Sequence, residues 1–216
     1  MMENQLTRED GEFLHGLRLE ILGLRYHWQL FTQLYSHSDE RVETLKGVAD
    51  EFFGVVEQLL WDHVLLVIGK LLDRAKTGGQ ENLNFESAID LLSHRNGGND
   101  VANLKQRLDT LRTDCELVKK IRHKRLAHFD KTYMIERLNP GSSLPGVNFT
   151  GLQKTIFEAE TLMNEIEKGF GEEPVLYDSH DSIVGNDLVW YLEQAGSYKQ
   201  VRERDKERKK REMGFS

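Results

Sequence analysis

The sequence predicts an all-α protein, a helical bundle of about six helices with a long C-terminal helix. Apolar residues recur every three or four positions over most of the chain, which is the period of an amphipathic helix. None of the prolines falls within the first 139 residues, where one would interrupt a long helix. Strand-like alternation of apolar and polar residues never extends beyond a few positions. We expect the central four helices to form the bundle.

The first two helices are expected to be long. Apolar residues step by three or four through residues 7–35, and a polar turn at 36–39 separates this helix from a second one over residues 40–76. The second helix is apolar nearly all round between Leu59 and Leu72, which indicates a central, buried position. Its predicted buried stripe consists of Val48, Phe52, Val55 or Val56, Leu59, Leu60, His63, Val67 and Leu71.

The later helices are bounded by residues that favour turns. Gly78 and Gly79 can take the left-handed conformations that end the second helix, and Asn84 is a candidate N-cap for the third. Polar, glycine-rich loops are expected at residues 95–99 and 139–146. The remaining helices are predicted over residues 85–92, 100–126, 150–169 and 187–210. We expect residues 1–175 to form one domain and residues 176–216 a C-terminal helical extension that packs on it or on a partner.

The composition limits the classes of function. A net charge of -7 on 216 residues argues against wrapping along DNA by bulk electrostatics, so a nucleic-acid site must be a local basic patch. Cys115 is the only cysteine, which excludes an internal disulfide, fits a reducing cytoplasm and predicts a small core residue. The most apolar stretch, residues 59–72, is too short and too interrupted for a membrane span. We therefore expect a cytoplasmic protein that does not bind a membrane.

A local reversal of charge stands out between residues 118 and 131. This window holds two histidines, His123 and His128, and a single acid, Asp130. Arginine offers phosphate a permanently charged, planar fork, and histidine changes charge near neutral pH. The window therefore has the residue types of a phosphate site that also moves protons. Its basic residues are Lys119, Lys120, Arg122, Lys124, Arg125 and Lys131.

Helical geometry limits how these side chains can cooperate. Arg122 and His128 are six residues apart, which on a straight α-helix is about 600° of rotation, or roughly 120° off the same face, and ~9 Å of rise. Arg125 and Lys124, three and four residues before His128, are its natural neighbours on one helix. A site that uses Arg122 and His128 together therefore requires the helix to end near Ala127, or a second chain that brings the residues together.

The run Arg122-His123-Lys124-Arg125-Leu126-Ala127-His128-Phe129-Asp130 resembles the signature of the HEPN superfamily, in which an Arg and a polar residue precede a His at the end of a long helix. The fuller similarity is to the branch named after the abortive-infection protein AbiU. Gly69-Lys70-Leu71-Leu72-Asp73 followed by Asn82-Leu83-Asn84-Phe85 is similar to the same branch, where a helix ends in Leu-x-Asp before an Asn-Leu turn and a short helix. The similar segments together span about residues 10–170.

The resemblance implies a HEPN-like bundle and a metal-independent ribonuclease that acts as a homodimer without a cofactor, with two motifs facing each other across a cleft. It implies RNA as the substrate of a toxin or phage-defence protein, with an antitoxin protein as a candidate partner. Catalysis would rest on His128 as acid or base and on Arg122 as the phosphate clamp. His123 stands where the family often has Asn, and Asp130 where some HEPN toxins have Tyr. Supporting roles fall to His123, Lys124, Arg125, Asp130 and Asp73, and RNA binding to Lys119, Lys120 and Lys131.

Structural interpretations of the same residues remain open. Basic residues in the last turns of a helix complement its dipole, by roughly 0.3–1 kcal/mol each. Asp73 can end a helix or pair with a nearby arginine, and His63 is expected to be a satisfied core histidine. No set of His and Cys has metal-ligand spacing. The alternative function is a catalytically inactive HEPN-like module that binds RNA, a nucleotide or a partner protein. The mixed charges of residues 199–212 are typical of a solvated helix.

Overall fold

The structure, a computed structural model, describes residues 6–95, 101–123, 147–177 and 184–212. The all-α class is confirmed, because these residues form seven α-helices and only one short hairpin. The helices are α1 Arg8–Phe31, α2 Asp39–Leu71, α3 Phe85–Arg95, α4 Ala102–Asp114, α5 Glu116–Ile121, α6 Phe149–Gly169 and α7 Val184–Glu212. A π-helical turn, Thr32–Ser36, follows α1, and strands β1 Lys76–Thr77 and β2 Gln80–Glu81 form the hairpin.

The connection from α2 to α3 contains a feature that periodicity did not predict, an antiparallel hairpin. Gly78 and Gly79, with φ of 59° and 84°, adopt the predicted left-handed conformations, but they form the turn of the hairpin and do not end α2, so that part of the prediction is wrong. Asn84 caps α3 as predicted, because its Oδ1 accepts a hydrogen bond of 3.0 Å from the backbone N–H of Ser87. Helix α2 ends at Leu71, five residues before the predicted end at residue 76.

The helix predicted over residues 100–126 is divided into α4 and α5 at Cys115. The backbone there leaves the helical region, with φ of -103° and ψ of 14°. The Cys115 side chain is 1% exposed, and its Sγ lies 3.5 Å from Oγ1 of Thr155 in α6. The prediction of a small core residue is therefore confirmed. Burial raises the pKa of its thiol, although the hydrogen bond between Cys115 and Thr155 opposes the rise, so Cys115 is not a reactive thiolate.

The chain divides into two compact units, and residues 1–27 and 62–180 form the first. In this unit α3, α4 and α6 pack against one another. Ion pairs join α1 to α6, Arg18 to Glu167 at 2.6 Å and Arg25 to Glu160. Burial raises the pKa of Glu167, and the arginine opposite lowers it again. The largest fully buried apolar side chains of the unit include Leu17, Ile21, Leu24, Leu65, Ile68, Phe85, Ile89, Leu108 and Leu152.

Residues 28–61 and 181–216 form the second unit. Its core contains an aromatic cluster, in which the Phe31 ring lies 5.8 Å from Trp28 and 5.2 Å from Trp61. The start of α7 is fixed by hydrogen bonds. Arg41 donates to the carbonyl of Gln33 and to Asn186, and Gly185 N–H donates to the Gln33 side chain.

One face of α2 contradicts the predicted buried stripe. Leu60, Val67 and Leu71 are buried as expected, but the positions predicted to share their face are open to solvent. Two reasons explain the difference. The helix contains one extended residue, Ala49 (φ -161°, ψ 77°), which changes the phase of the helix. In addition, a helix that is apolar nearly all round cannot bury every face against few neighbouring elements. By length and composition α2 could cross a membrane, a criterion that core helices of soluble proteins also meet. The exposed positions are Val48, Phe52, Val55, Leu59 and His63.

Candidate functional site

Helix α5 carries Arg122 to its position. Val118 and Ile121 anchor this short helix in the core, where they are 3% and 6% exposed. Arg122 follows directly as the C-terminal residue of α5, and at Arg122 and His123 the backbone widens into a π-type turn. The helix thus departs from straight α geometry at the start of the motif, before Ala127. His128, Lys124, Arg125, Asp130 and Lys131 lie outside the described residues.

The Arg122 guanidinium forms a two-point ion pair with Asp73. Its Nη1 donates to Oδ2 of Asp73 at 2.7 Å, and its Nη2 donates to Oδ1 at 2.8 Å. The pair is half-buried, with side-chain exposures of 20% for Arg122 and 32% for Asp73. Of the five N–H donors of a guanidinium, this pairing uses two, and the other three donate to no group among the residues that the structure describes. The motif and the end of α2, 49 residues apart in sequence, therefore meet through a fixed, oriented fork.

Gly69 provides the space for this fork. A Cβ atom added to Gly69 would lie 2.6 Å from Cδ of Arg122, and 3.1 Å from both its Nε and its Nη1. These separations are shorter than ordinary contacts of about 3.5–4.0 Å. Only glycine at position 69 therefore lets the Arg122 side chain lie against α2 and reach Asp73.

Two residues of the first unit hold the backbone of Asp73. Arg112, 7% exposed, donates from Nε to the carbonyl of Leu72 at 2.9 Å and from Nη2 to that of Asp73 at 2.6 Å. The fully buried Asn84 donates from Nδ2 to the carbonyl of Asp73 at 3.2 Å and to that of Arg74 at 2.9 Å. These donors satisfy carbonyls of the turn that directly follows α2, so the backbone that carries Asp73 is held in place.

Glu86 neutralises the charge of Arg112. Its carboxylate accepts from Nη1 of Arg112 at 3.0 Å, from Nη1 of Arg74 at 3.0 Å and from the backbone N–H of Ala75. Burial raises the pKa of Glu86, but these hydrogen bonds outweigh it and hold the pKa at about 2. Glu86 is therefore ionised near neutral pH, and the turn that presents Asp73 is held by charged hydrogen bonds on both sides.

An open cleft of about 280 Å³ lies beside Asp73. Lys70 and Glu20 are its charged residues besides Asp73 itself. At Glu20 and Lys70 no side-chain hydrogen bond or ion pair forms within the described part of the chain. The full lining consists of Glu20, Lys70, Leu71, Asp73, Asn82 and Leu83.

His63 contradicts the expectation of a core histidine, because it is exposed. Its ring lies 4.3 Å from that of His27, whose Nδ1 is 2.6 Å from the carbonyl of Gly23. Partial burial lowers the pKa of His63, as do His27 and Lys70, whereas Glu20 raises it. The expectation was wrong because the stripe containing His63 is not the face that α2 buries.

The remaining predicted residues within the described part of the chain lie at or near the surface. Lys119 pairs with Glu116 at 2.8 Å, one turn away on α5, and Lys120 and His123 are exposed. Across residues 6–95, 101–123, 147–177 and 184–212, three or more His, Cys, Asp or Glu nowhere gather in a group that could hold a metal ion. Sequence reasoning missed Arg112, which nothing in the pattern separates from the other basic residues of α4. Gly69 lies in the segment that resembles the AbiU branch, but its role in making space for Arg122 depends on a tertiary contact that the sequence does not show.

Comparison with known proteins gives a family match that covers most of the chain. The model of the AbiU2 family of HEPN proteins matches residues 10–187, most of the chain. The match includes Gly69, Asp73, Asn84, Arg112 and Arg122. No curated protein and no solved structure matches the chain significantly.

Proposed function

The chain belongs to the AbiU2 family of HEPN proteins, and from this premise we propose that it is a metal-independent RNA endonuclease of the toxin or phage-defence type. The observation that carries the proposal is the fixed Arg122 fork. Gly69 and Asp73 orient a guanidinium whose other three donors bind no group among the described residues, and an open cleft adjoins Asp73. A permanently charged, oriented donor of this kind suits a phosphate that gains negative charge during reaction.

The proposed reaction is transesterification within RNA. A ribose 2′-hydroxyl loses its proton to His128 and attacks the adjacent phosphorus. The bond from phosphorus to the 5′-oxygen breaks, and a second acid, His128 of the partner subunit, donates a proton to that oxygen. The products are a 2′,3′-cyclic phosphate and a 5′-hydroxyl end, so neither water nor a redox partner is consumed in the step. Arg122 stabilises the pentacoordinate phosphate, and Asp73 orients Arg122.

The homodimer follows from this chemistry as part of the proposal. One chain supplies one His128, whereas cleavage without a metal needs both a base and an acid. Lys119, Lys120 and Lys131 would contact the RNA backbone, with Lys124, Arg125, His123 and Asp130 in support. A cytoplasmic location and control by an antitoxin protein belong to the same hypothesis.

The test is cleavage of labelled single-stranded RNA by the purified chain in EDTA, followed by analysis of the product ends. We expect cyclic phosphate ends, and a rate reduced ~10²–10⁴-fold by His128→Ala and ~10²–10³-fold by Arg122→Ala. Arg122→Lys retains the charge but loses the two-point geometry, and should also be impaired. Lys168→Ala, which removes an exposed lysine at the end of α6, is the matched control. Undiminished cleavage by the folded His128→Ala protein would refute the mechanism.

One observation favours a second candidate, a HEPN module that binds RNA without cutting it. Asp73 already neutralises the Arg122 charge, and such a pair can act purely as a structural link between α2 and α5. Cleavage and RNA binding by the wild-type chain, compared with the same measurements on Asp73→Asn, separate the candidates. If the pair orients a catalytic arginine, the cleavage rate falls while RNA binding persists. In a binding module no cleavage occurs in any variant.

A further inference from the structure

We propose that the cleft beside Asp73 is a nucleobase subsite that binds guanine, with Glu20 as the residue that determines specificity. This inference rests on the proposed action on RNA and names the nucleotide that lies next to the bound phosphate. The cleft and the Arg122 fork share Asp73, so a nucleotide whose phosphate binds Arg122 has its base within reach of the cleft. Its volume of about 280 Å³ is near the lower end of the ~300–1,000 Å³ of small-molecule sites, which suits one nucleotide.

The walls of the cleft combine an apolar surface with unsatisfied charges. Leu83 is 40% exposed and lies against α1, where a Cβ added to Gly16 would be 3.4 Å from its Cδ2. A splayed base of single-stranded RNA can cover such a surface with its face. At the edge of the cleft lie the side-chain carboxyl group of Glu20 on α1 and the side-chain amine of Lys70 on α2.

Most hydrogen-bonding groups of the cleft are acceptors. Both oxygens of Asp73 already accept from Arg122, whereas the Glu20 carboxylate accepts no hydrogen bond from the described residues and can take two donors at once. Asn82 donates its Nδ2 hydrogens to the carbonyl of Arg74 and to Oγ1 of Thr77, each at 2.8 Å, which leaves its Oδ1 as an acceptor. The cleft therefore favours a base whose edge carries adjacent N–H donors.

Guanine is the base that meets this requirement. Its N1–H and N2–H lie side by side and match the two oxygens of one carboxylate, here Glu20. Its O6 and N7 are acceptors of the kind that lysine recognises, here Lys70. Uracil offers a single N–H, and adenine and cytosine offer one amino group each, so none of them satisfies Glu20 at both oxygens.

The test is RNA binding by the full-length His128→Ala chain, which prevents cleavage, measured by fluorescence anisotropy. The probes are labelled uridine hexamers with one central guanosine, inosine or adenosine. Inosine lacks only the N2 amino group. We expect the guanosine probe to bind about tenfold more tightly than the inosine or adenosine probe, within the range that one two-point contact provides.

Variants of the cleft connect this preference to its residues. Glu20→Gln should bring the guanosine and inosine probes to equal affinity, and Lys70→Ala should weaken binding of the guanosine probe. Glu9→Gln on α1 and Lys168→Ala on α6 remove exposed charges elsewhere and should change nothing. A guanosine preference that survives Glu20→Gln overturns the inference, as does failure to bind any of the probes.

The cleavage assay separates this inference from the proposed function. Cleavage by the wild-type chain without any dependence on Glu20 overturns the subsite alone. The opposite result is also informative: if the wild-type chain cuts no RNA but binds guanosine selectively through Glu20, the subsite is supported and the proposed nuclease is refuted.

Discussion

Replacing Gly69 with alanine tests whether the Arg122 fork must stay where α2 holds it. The added Cβ would lie 2.6 Å from Cδ of Arg122, and a normal contact of about 3.5–4.0 Å requires the side chain to retreat by roughly 1 Å. That retreat lengthens hydrogen bonds of 2.7 and 2.8 Å to Asp73 beyond the ~3.5 Å at which they cease to count. A catalytic group misplaced by ~1 Å can cost about 10²-fold in rate.

The same substitution should leave the stability of the fold nearly unchanged. Alanine in a helix is favoured over glycine by about 0.5–1 kcal/mol, whereas losing a partly exposed ion pair costs roughly 1 kcal/mol or less. We therefore expect Gly69→Ala to cut RNA ~10²-fold more slowly while its free energy of unfolding in urea stays within about 1 kcal/mol of wild type.

Gly54→Ala is the matched control, because Gly54 lies on the same helix with nothing within 4 Å of an added Cβ. It should gain about 0.5–1 kcal/mol in stability at unchanged activity. Full cleavage activity of Gly69→Ala would refute the reasoning, since it would show that the two-point pair with Asp73 is not the arrangement in which Arg122 acts.

Three further predictions concern the support of the site and the exposed face of α2. Arg112→Met should lower the free energy of unfolding by ~3–5 kcal/mol, because it breaks a buried, charged network, whereas Arg107→Met on the same helix removes more exposed pairs and should cost much less. The pKa of Glu86 falls from 4.5 to about 2 on folding, so the stability it contributes is complete above pH 4.5 and is lost as the pH falls towards 2. Urea unfolding from pH 5 to 3 should show this loss, and Glu86→Gln should weaken the dependence. Finally, Phe52→Glu or Leu59→Glu tests whether the proposed homodimer forms through the exposed face of α2: either substitution should reduce the mass measured by light scattering from dimer to monomer without unfolding, and an unchanged dimer mass would exclude this face as the interface.

Local signals in the sequence predicted local structure well. Asn84 at a cap and Gly78 and Gly79 in left-handed conformations depend on the chemistry of one or a few neighbouring residues, and the structure bears them out. The start of α6 shows the limit of this reasoning. Thr150 was expected to open the helix, but the side chain of Asn148 accepts from the backbone N–H of Gly151 and caps it two residues earlier.

The failures have a common cause, which is contact between segments far apart in the chain. Periodicity predicted a single helix over residues 100–126. The break between α4 and α5 depends on how Cys115 packs against Thr155 in α6, and neither a proline nor a glycine marks it in the sequence. The same limit explains the wrong prediction for His63, because the sequence of an apolar helix does not indicate which of its faces neighbouring elements will cover. Arg112 acts on a turn about 40 residues away.

The geometry gives a physical reason why the segment that contains Gly69 and Asp73 and the motif that contains Arg122 belong to one sequence pattern. Gly69 and Asp73 lie four residues apart at the end of α2. Gly69 leaves space for the Arg122 side chain, and Asp73 holds its guanidinium. Asn84 then fixes the backbone of Asp73. A change at any of these positions displaces the same guanidinium, although only Arg122 lies in the signature run. In the proposed nuclease, the functional unit is therefore an arginine together with the turn that orients it.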